Sequence, residues 1–391
     1  MPGFRAAGVR CGIKRQGLDL ALIASDGPAA AAGVFTRSSV VGAPVELSRE
    51  RVRSGRARVI VANSGVSNVA MGARGRADAR AMTAAAARAL GCRPEEVLVA
   101  STGVIGHPLP IARIRAGLPR AVRSLRGDGL GAAARAIMTT DTIPKVAVLH
   151  TRIDGRRVTL AGIAKGSGMI EPNLATMLSF LLTDAAVAPP LLRRMLRDAC
   201  RTSFNRLTVD GETSTSDTVL LLANGRAGHA TLRDPASAGA RRLATALTEL
   251  SESLARALAR DGEGATKLVT VRVAGARSGA EAERAARRIA NSMLVKTALF
   301  GGDPNWGRIL QTVGAARVRI ALARAEVRLA GVVVWRHGAP TGPAARARAG
   351  RALRAREIEV SIDLGAGRHG TTVWTCDLSY DYVRINADYT T

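Results

Sequence analysis

The chain has 391 residues, 47% of them hydrophobic, and its longest apolar stretch, Met177 to Leu182, is far shorter than the roughly 20 residues of a membrane helix. Its N-terminus also has no apolar stretch of signal-peptide length, so we expect a globular cytoplasmic protein without a membrane partner. The net charge of +26 would attract polyanions, but 52 arginines against 5 lysines are spread along the whole chain, and 3% aromatic content leaves few stacking platforms, so no nucleic-acid partner is expected.

The first part of the chain predicts strands that end in loops. Between residues 17 and 47 the segments LALIAS, AAGVF and VVGAPVEL are predicted to be extended and are separated by turn residues. RVIVANSG predicts a buried strand that ends in a loop at 63–65, a helix follows over 76–90, and EEVLVASTGVIG predicts a second strand ending at 101–103. Loops at strand ends are common positions for ligands and catalytic groups in α/β proteins.

The second part of the chain alternates predicted helices and strands. Leucines at three- and four-residue spacing between 237 and 260 predict a helix, and LVTVRV predicts a strand. Ser278 with Glu281 then forms a capping-box pattern at the start of another helix. From 316 onward the short strands VRIAL, EVRLAGVVVW, EIEVSIDL and TTVWTCDLSY are interrupted by a helix near 344–356. The pattern predicts a mixed α/β fold.

Rare residue types limit the candidate chemistry. Because lysine is so scarce, each of the five lysines is informative: Lys14, Lys145, Lys165, Lys267 and Lys296. The four cysteines form no CxxC pair, and the five histidines show no triad spacing. Acidic residues in TVDGETSTSDT suggest a metal site, but no histidine is near them and a structural loop is the preferred interpretation: Asp210, Glu212 and Asp217. No metal is expected.

The densest segment of candidate functional residues begins at Lys165 and reads KGSGMIEPNLATML. It fits a phosphate-binding loop poorly, because the lysine leads the segment and a proline interrupts it. The segment resembles the autoprocessing motif of the ornithine acetyltransferase family, in which an alanine–threonine bond is cut. The resemblance covers nearly the whole chain and includes GIKRQGLDLALIASD, VLVASTGVIG, TVDGETSTSDT, DGEGATK, LVKTALFGGDPNWGRI and INADYTT.

The resemblance implies that the chain cleaves itself between Ala175 and Thr176, giving an α chain of 1–175 and a β chain of 176–391. The hydroxyl of Thr176 would attack the preceding carbonyl, and hydrolysis of the resulting ester would free an α-amine beside that hydroxyl. With a pKa of about 7.7 to 8.0, this amine is partly neutral at cellular pH and can act as the base. Without the surrounding motif, a buried helix threonine would be the ordinary interpretation.

The resemblance also implies the remaining site residues. The hydroxyl of Thr102 and the backbone amide of Gly103 would form the oxyanion hole, in the loop after the second predicted strand. Substrate-binding residues would be Thr142, Lys165, Thr176, Glu263, Asn386 and Thr391. A lysine suits a carboxylate and a glutamate suits an amine. The ordinary alternatives are a surface lysine and, for DGEG, a helix-terminating turn.

The family's fold and reaction are expectations of the same kind. The fold would be a layered αββα sandwich with a smaller C-terminal α/β subdomain at about 280–391, assembled from two α and two β chains. The enzyme would be a glutamate N-acetyltransferase that moves acetyl from N2-acetylornithine to glutamate through an acetyl-threonine intermediate, in arginine biosynthesis and without a cofactor. The sequence leaves open whether acetyl-CoA is a second donor, which would add amino-acid N-acetyltransferase activity.

Two alternatives stay open. A self-cleaving amidase or aminopeptidase with the same threonine nucleophile would transfer the acyl group to water instead of glutamate. Val66 keeps this alternative open, because the family usually has an asparagine there, in the loop after the first predicted strand. The third hypothesis is a basic DNA-binding protein that never cleaves itself.

Overall fold

The computed structural model describes residues 1–171 and 177–388, which form two compact units. The first unit contains residues 1–205 and 213–258, and the second contains 206–212 and the described chain from Ala259 onward. The main segment of the second unit begins at Ala259, and the C-terminal subdomain at about 280–391 stays a prediction.

Strands and helices alternate along the first unit. In chain order they are β1 (Phe4–Val9), β2 (Leu20–Phe35), α1 (Ala43–Arg51), β3 (Arg56–Val66), α2 (Gly72–Leu90), β4 (Val97–Val104), α3 (Ile111–Arg123), α4 (Leu130–Ile137), β5 (Lys145–Ile153), β6 (Arg156–Lys165), β7 (Leu178–Thr183), α5 (Pro189–Thr202), β8 (Thr218–Ala223) and α6 (Ala238–Arg260). Short 3-10 turns lie at Val52–Ser54, Pro94–Glu96 and Phe204–Arg206.

Most predicted strands and helices of this unit are confirmed, but VVGAPVEL is not extended. Its second half begins α1, with Pro44 in the first turn of the helix. A proline there loses nothing, because the first N–H groups of a helix have no partner within it. LALIAS and AAGVF, in contrast, are two parts of the single long strand β2.

Strand β2 connects two halves of one sheet. The strand order is β4-β3-β2-β8-β7-β6-β5, with β1 paired to β2 as well. The first half of β2 pairs with β1 and β3, and its second half, from Ala30 to Phe35, pairs with β8. An irregularity between Ala24 and Ala29 interrupts the pairing with β3, at the place where the strand passes from one set of partners to the other.

The two halves of the sheet share one hydrophobic cluster. Leu98 of β4 belongs to the same cluster as Phe180 of β7, although β3, β2 and β8 lie between these strands in the sheet order. Strands that are so far apart in one sheet can share a core only if the sheet folds over onto itself. The halves therefore face each other across this cluster.

Helices cover the outer faces. Met82 of α2 and Leu118 of α3 form a second cluster with residues of β3 and β4. On the other half of the sheet, a Cβ placed on Gly162 of β6 would lie 2.9 Å from Leu254 of α6, so this helix lies directly on the strand. These helices remove much of the outer faces of the sheet from water, although alternate residues of the edge strand β5 stay exposed.

The second unit is a smaller α/β structure. Its elements are β9 (Leu268–Ala276), α7 (Gly279–Ala290), α8 (Met293–Gly301), α9 (Trp306–Ala315), β10 (Glu326–Leu329), β11 (Val332–Arg336), β12 (Ala339–Pro340), α10 (Pro343–Ala352), β13 (Glu357–Asp363), β14 (His369–Cys376) and α11 (Tyr380–Asp388). Its sheet has the order β12-β11-β10-β13-β9-β14, in which only the β13–β9 pairing is parallel among the described strands.

Of two expectations for this unit, the helix cap is confirmed and one strand prediction is wrong. Ser278 caps α7 as predicted, because its hydroxyl accepts the N–H of Glu281 at 3.2 Å. VRIAL, predicted to be a strand, is instead a loop in which Val318 and Ile320 pack against the hydrophobic cluster of this unit. Arg317 has a φ of +52°, a left-handed conformation that does not continue into a strand.

The mixed α/β class is therefore confirmed. In the part of the chain that the structure describes, no helix is long and apolar enough to cross a membrane.

Replacing Phe180 by alanine should destabilise the first unit, because this fully buried side chain lies in the cluster between the two halves of the sheet. We expect a loss of about 3–5 kcal/mol in the free energy of unfolding, measured by urea denaturation with circular dichroism. The control Val148→Ala, on a residue 53% exposed, should change it by no more than about 0.5 kcal/mol. Equal effects of the two substitutions would contradict this assignment of the core.

Candidate functional site

Strands β3 and β4 carry polar side chains to one edge of the sheet. They are parallel neighbours, so their carboxyl ends lie side by side, with Gly65 opposite Gly103. Ser101 donates a hydrogen bond to Asn63 Oδ1 at 2.6 Å, and Asn63 Nδ2 donates to the carbonyl of Val66 at 2.8 Å. These bonds fix the ends of both strands, and they thereby fix the positions of the residues at those ends.

Gly65 and Gly103 are required by a close approach of the two strands. Both have positive φ values, +106° and +123°, which favour glycine. A Cβ on Gly103 would lie 2.4 Å from the carbonyl carbon of Gly65, so no larger residue fits without moving the backbone. The backbone conformation at Gly103, the residue expected to supply an oxyanion-hole amide, is therefore tightly constrained.

Lys165, at the end of β6, holds the hydroxyl of Thr102. Its ammonium group is 3.0 Å from Thr102 Oγ1 and 3.0 Å from Thr139 Oγ1, and the residue is only 5% exposed. Because an ammonium group can only donate, Thr102 Oγ1 accepts this bond and keeps its own hydrogen for another acceptor. The positive charge also polarises the hydroxyl, which suits it to stabilise a developing oxyanion.

A buried carboxylate fixes the loop that carries Thr139. Asp141 accepts hydrogen bonds from Lys145 Nζ at 2.6 Å, from the N–H of Gly166 at 2.7 Å and from the N–H of Thr139 at 3.0 Å. Burial alone would raise the pKa of Asp141, but the charges of Lys145 and Lys165, with these hydrogen bonds, hold it below its usual value. The loop is therefore anchored to the start of the KGSG segment by an ionised carboxylate.

A second buried carboxyl group lies beside the expected cleavage site. Asp217 Oδ1 accepts the N–H of Met177 at 2.6 Å, and Met177 directly follows Thr176 in the sequence. Burial raises the pKa of Asp217 well above its usual value, against the opposing effects of the Met177 N–H and the charge of Lys165. Its other oxygen, Oδ2, is buried without a hydrogen-bond partner among the described residues.

In the second unit, Glu263 and Asn386 are in direct contact. Asn386 Nδ2 donates to Glu263 Oε2 at 2.8 Å and to the carbonyl of Tyr382 at 3.0 Å. The hydroxyl of Tyr382 donates to Asp210 at 3.4 Å. Burial, followed by the negative charges of Asp210 and Glu263, raises the pKa of Tyr382. The two carboxylates make this surface favourable for a cation such as an amine.

The structure therefore brings some of the predicted site residues together, but not all of them. Thr102, Gly103 and Lys165 come together in the first unit, and Glu263 and Asn386 come together in the second. Thr142 is exposed in the turn between α4 and β5. Three predicted residues lie outside the described part of the chain: Ala175, Thr176 and Thr391.

The sequence interpretation missed three polar residues of the first unit. Thr139 and Asp141 belong to the same segment TTDT as the predicted Thr142, and their hydroxyl and carboxyl groups were the available signal. Asp217 was assigned only to a structural loop. Within 1–171 and 177–388, no three His, Cys, Asp or Glu residues are grouped so that they could hold a metal ion.

Comparison with known proteins identifies the family. The sequence model of the ArgJ family matches residues 5–391. The chain belongs to the ArgJ family. The resemblance that the motifs indicated is therefore confirmed, and the chain is an enzyme of arginine biosynthesis.

Relatives match the ArgJ-family chain over its whole length. It is 51% identical to the arginine biosynthesis bifunctional protein ArgJ of Geobacter sulfurreducens, over 100% of this chain and 99% of that protein. It is 48% identical to the protein of the same name from Thermosynechococcus vestitus, over 100% of this chain and 96% of that one. The crystal structure of the argJ protein from Bacillus halodurans matches at 41% identity and a TM-score of 0.52, over 55% of this chain and 100% of that chain.

Val66, where the resemblance leads us to expect an asparagine, packs against the core of the first unit of this ArgJ-family member. Its side chain packs against the hydrophobic cluster between the sheet and helices α2 and α3. Its carbonyl oxygen, which any residue would supply, accepts the bond from Asn63. The substitution therefore adds to the packing beneath the helices, and the hydrogen bonding of the strand end is retained.

Asp141→Asn should destabilise the protein by about 3–5 kcal/mol at pH 7, because it leaves the fully buried ammonium of Lys145 without its counter-charge. The pKa of Asp141 is lowered in the folded state, so its contribution is complete above about pH 4 and is lost as the pH falls further. The free energy of unfolding, measured at pH 7 and at lower pH, should therefore depend less on pH in the variant than in the wild-type protein.

The matched control for that experiment is Asp128→Asn, which removes a surface carboxylate from its ion pair with Arg126. Both side chains of that pair are 73% exposed, and water and salt screen such a charge, so stability should hardly change. An Asp141→Asn protein as stable as this control at pH 7 would contradict the anchoring role of Asp141.

Proposed function

We propose that this ArgJ-family enzyme is a glutamate N-acetyltransferase, also called ornithine acetyltransferase. It transfers acetyl from N2-acetylornithine to glutamate, producing ornithine and N-acetylglutamate. The observation that carries this proposal is the contact of the buried Lys165 ammonium with Thr102, which lies beside Gly103. The Thr102 hydroxyl and the Gly103 N–H are two hydrogen-bond donors suited to stabilise one oxyanion. An acyl transfer needs such donors.

The nucleophile in this proposal is Thr176, freed by cleavage of the Ala175–Thr176 bond. The family supports it, and so does the length of a relative. The whole chain of the Bacillus halodurans structure matches 55% of this chain, and the 216 residues from Thr176 to the C-terminus make up the same share of the 391 residues. The predicted α chain of 1–175 and β chain of 176–391 follow from this cut.

The reaction proceeds in two transfers. The α-amine of Thr176 takes the proton of its own hydroxyl while Oγ attacks the acetyl carbonyl of N2-acetylornithine. The oxyanion accepts hydrogen bonds from the Thr102 hydroxyl and the Gly103 N–H. Collapse breaks the amide bond, the proton passes to the departing nitrogen of ornithine, and the acetyl group remains on Thr176. The neutral α-amine of glutamate then attacks this ester, and the bond between the acetyl carbon and Oγ of Thr176 breaks. The proton lost by the attacking nitrogen passes through the α-amine of Thr176 to Oγ, which releases N-acetylglutamate and restores the threonine.

Substrate binding follows the charges of the two substrates. Thr142 and Lys165 in the first unit, and Glu263, Asn386 and Thr391 further along the chain, are the proposed binding residues, together with Thr176. The contact of Glu263 with Asn386 near Asp210 supports a role in binding an amine, because carboxylates attract it. The arrangement of the first unit's clusters supports an αββα layering, and an assembly of two α and two β chains completes the proposal.

Acetyl-CoA is a second proposed acetyl donor. The curated relatives from Geobacter sulfurreducens and Thermosynechococcus vestitus are named bifunctional proteins, which supports a second activity. Enzyme given acetyl-CoA and glutamate, without N2-acetylornithine, should then form N-acetylglutamate. Absence of the product would restrict this chain to acetylornithine as its donor.

Freshly purified protein should consist of two fragments, residues 1–175 and 176–391, by intact mass spectrometry. Thr176→Ala should remain a single chain, because alanine has no hydroxyl to attack the preceding carbonyl. A wild-type protein that stays intact under native conditions would overturn the proposed nucleophile. Formation of acetate from N2-acetylornithine at the same rate with and without glutamate would instead favour the amidase alternative.

Thr102→Val should lower kcat by roughly 10²–10³-fold, because it removes one oxyanion donor at nearly constant side-chain volume. Lys165→Met should also lower kcat, and the double variant should lose little more than the more damaged single variant if Lys165 acts through the Thr102 hydroxyl. Steady-state rates of N-acetylglutamate formation measure all three variants.

The matched control for these variants is Thr245→Val, which removes a hydroxyl on the exposed side of α6. It should retain the wild-type kcat. Fully additive losses in the double variant would mean that Lys165 acts independently of Thr102, for example by binding the substrate carboxylate directly.

A further inference from the structure

Lys14 is held in a rigid loop near the strand ends of the first unit. The carboxylate of Asp19 accepts the N–H groups of four successive residues: Cys11 at 2.5 Å, Gly12 at 2.9 Å, Ile13 at 2.6 Å and Lys14 at 3.1 Å. Asp19 is itself fully buried at the start of β2. Four backbone donors on one carboxylate leave this loop little freedom, so the position of Lys14 is fixed by the fold.

The side chain of Lys14 lies against Gly65, at the edge of the sheet that carries the expected oxyanion-hole residue Gly103. A Cβ on Gly65 would be 2.9 Å from Cγ of Lys14, and Gly65 is the residue whose backbone touches Gly103. The ammonium group of Lys14 donates to the carbonyl of Met138 at 2.9 Å. The next residue, Thr139, accepts a bond from Lys165. Lys14 and Lys165 therefore contact adjacent residues of the same loop.

The two lysines differ in how a ligand could reach them. Lys165 is 5% exposed and its ammonium is bound to two hydroxyls, whereas Lys14 is partly exposed. Lys14 Nζ has no carboxylate within 4.0 Å in the described part of the chain, and its one bond is to an uncharged carbonyl. A partly exposed ammonium group with unused donors is suited to bind an anion.

The acidic groups near Lys14 are already used by other partners. Burial lowers the pKa of Lys14 and so does the charge of Lys165, while the charges of Asp19 and Asp141 oppose this. Asp19 is bound to four N–H groups, and Asp141 is bound to Lys145 and to backbone N–H groups. A bound carboxylate would give Lys14 the direct counter-charge that these groups do not supply.

We propose that Lys14 binds the α-carboxylate of the amino-acid substrate and so positions it beside Gly65 of β3 and the expected oxyanion-hole residue Gly103 of β4. This inference rests on the proposed acetyl transfer for its choice of ligand, because the α-carboxylate is common to N2-acetylornithine, ornithine, glutamate and N-acetylglutamate. Lys165 polarises Thr102 and stays a proposed binding residue, and the more exposed Lys14 supplies a further positive charge that contacts the carboxylate directly.

The test compares ornithine with ornithinamide, in which a neutral amide replaces the carboxylate. Isothermal titration calorimetry on cleaved wild-type protein should show ornithine binding at least about tenfold more tightly, as expected for a charge-assisted hydrogen bond. Lys14→Met should reduce this preference about tenfold by weakening ornithine alone. Lys14→Gln should do the same, although a glutamine keeps a donor for the Met138 carbonyl, and Lys14→Arg should retain part of the preference.

The matched control is Arg15→Gln, which removes a positive charge from the adjacent exposed residue and should keep the wild-type preference. A Lys14→Gln protein with the wild-type preference would overturn the inference and leave Lys14 as a structural contact to Met138. Wild-type protein without any preference for ornithine would overturn it too.

Acetyl-transfer assays on the same samples separate this inference from the proposed function. Wild-type protein that discriminates between the two ligands through Lys14 but transfers no acetyl to glutamate would retain the Lys14 assignment and refute the transferase. Protein that transfers acetyl while Lys14→Met and Lys14→Gln keep the full preference would refute the Lys14 assignment alone.

Discussion

The buried ion pair of Asp141 and Lys145 determines the shape of the candidate site in the first unit. Both side chains are fully removed from solvent, which costs several kcal/mol for each charge unless hydrogen bonds replace the lost water. Here the carboxylate also accepts the N–H groups of Thr139 and Gly166, so the loop after α4 and the segment after β6 are tied to one charge. The contact between Lys165 and Thr139 depends on that arrangement.

The folded sheet explains why these residues meet. Lys165 ends β6 and Thr102 lies in β4, and four strands separate β6 from β4 in the sheet order. Their side chains are nevertheless 3.0 Å apart, because the long strand β2 belongs to both halves of the sheet and allows one half to face the other. The contact therefore depends on the sheet as a whole, and no single loop could produce it.

This dependence also explains what the sequence could predict. Periodicity and turn residues placed the strand ends close to their observed positions, since those patterns are local. The loops predicted at 63–65 and 101–103 are nevertheless the last residues of β3 and β4, which end at Val66 and Val104. The family resemblance supplied Thr102, Gly103 and Lys165. Neither the anchoring by Asp141 nor the loop around Asp19 followed from local patterns, because charge pairing and backbone capping depend on which distant segments come together. The errors at VVGAPVEL and VRIAL have the opposite origin: short apolar runs there suit a helix start or a packed loop as well as a strand.

The scarcity of lysine has a chemical consequence for the surface. Lys145, Lys165, Lys267 and Lys296 are buried, and Lys14 is only partly exposed. The many arginines do not react with mild acylating reagents, because a guanidinium group stays protonated. Among the described residues, Lys14 and the N-terminal amine of Met1 are therefore the principal accessible amines of the molecule. A dye that reacts with unprotonated amines would label the described part of the chain mainly at these two positions, so the extent of labelling would report directly on whether Lys14 is covered.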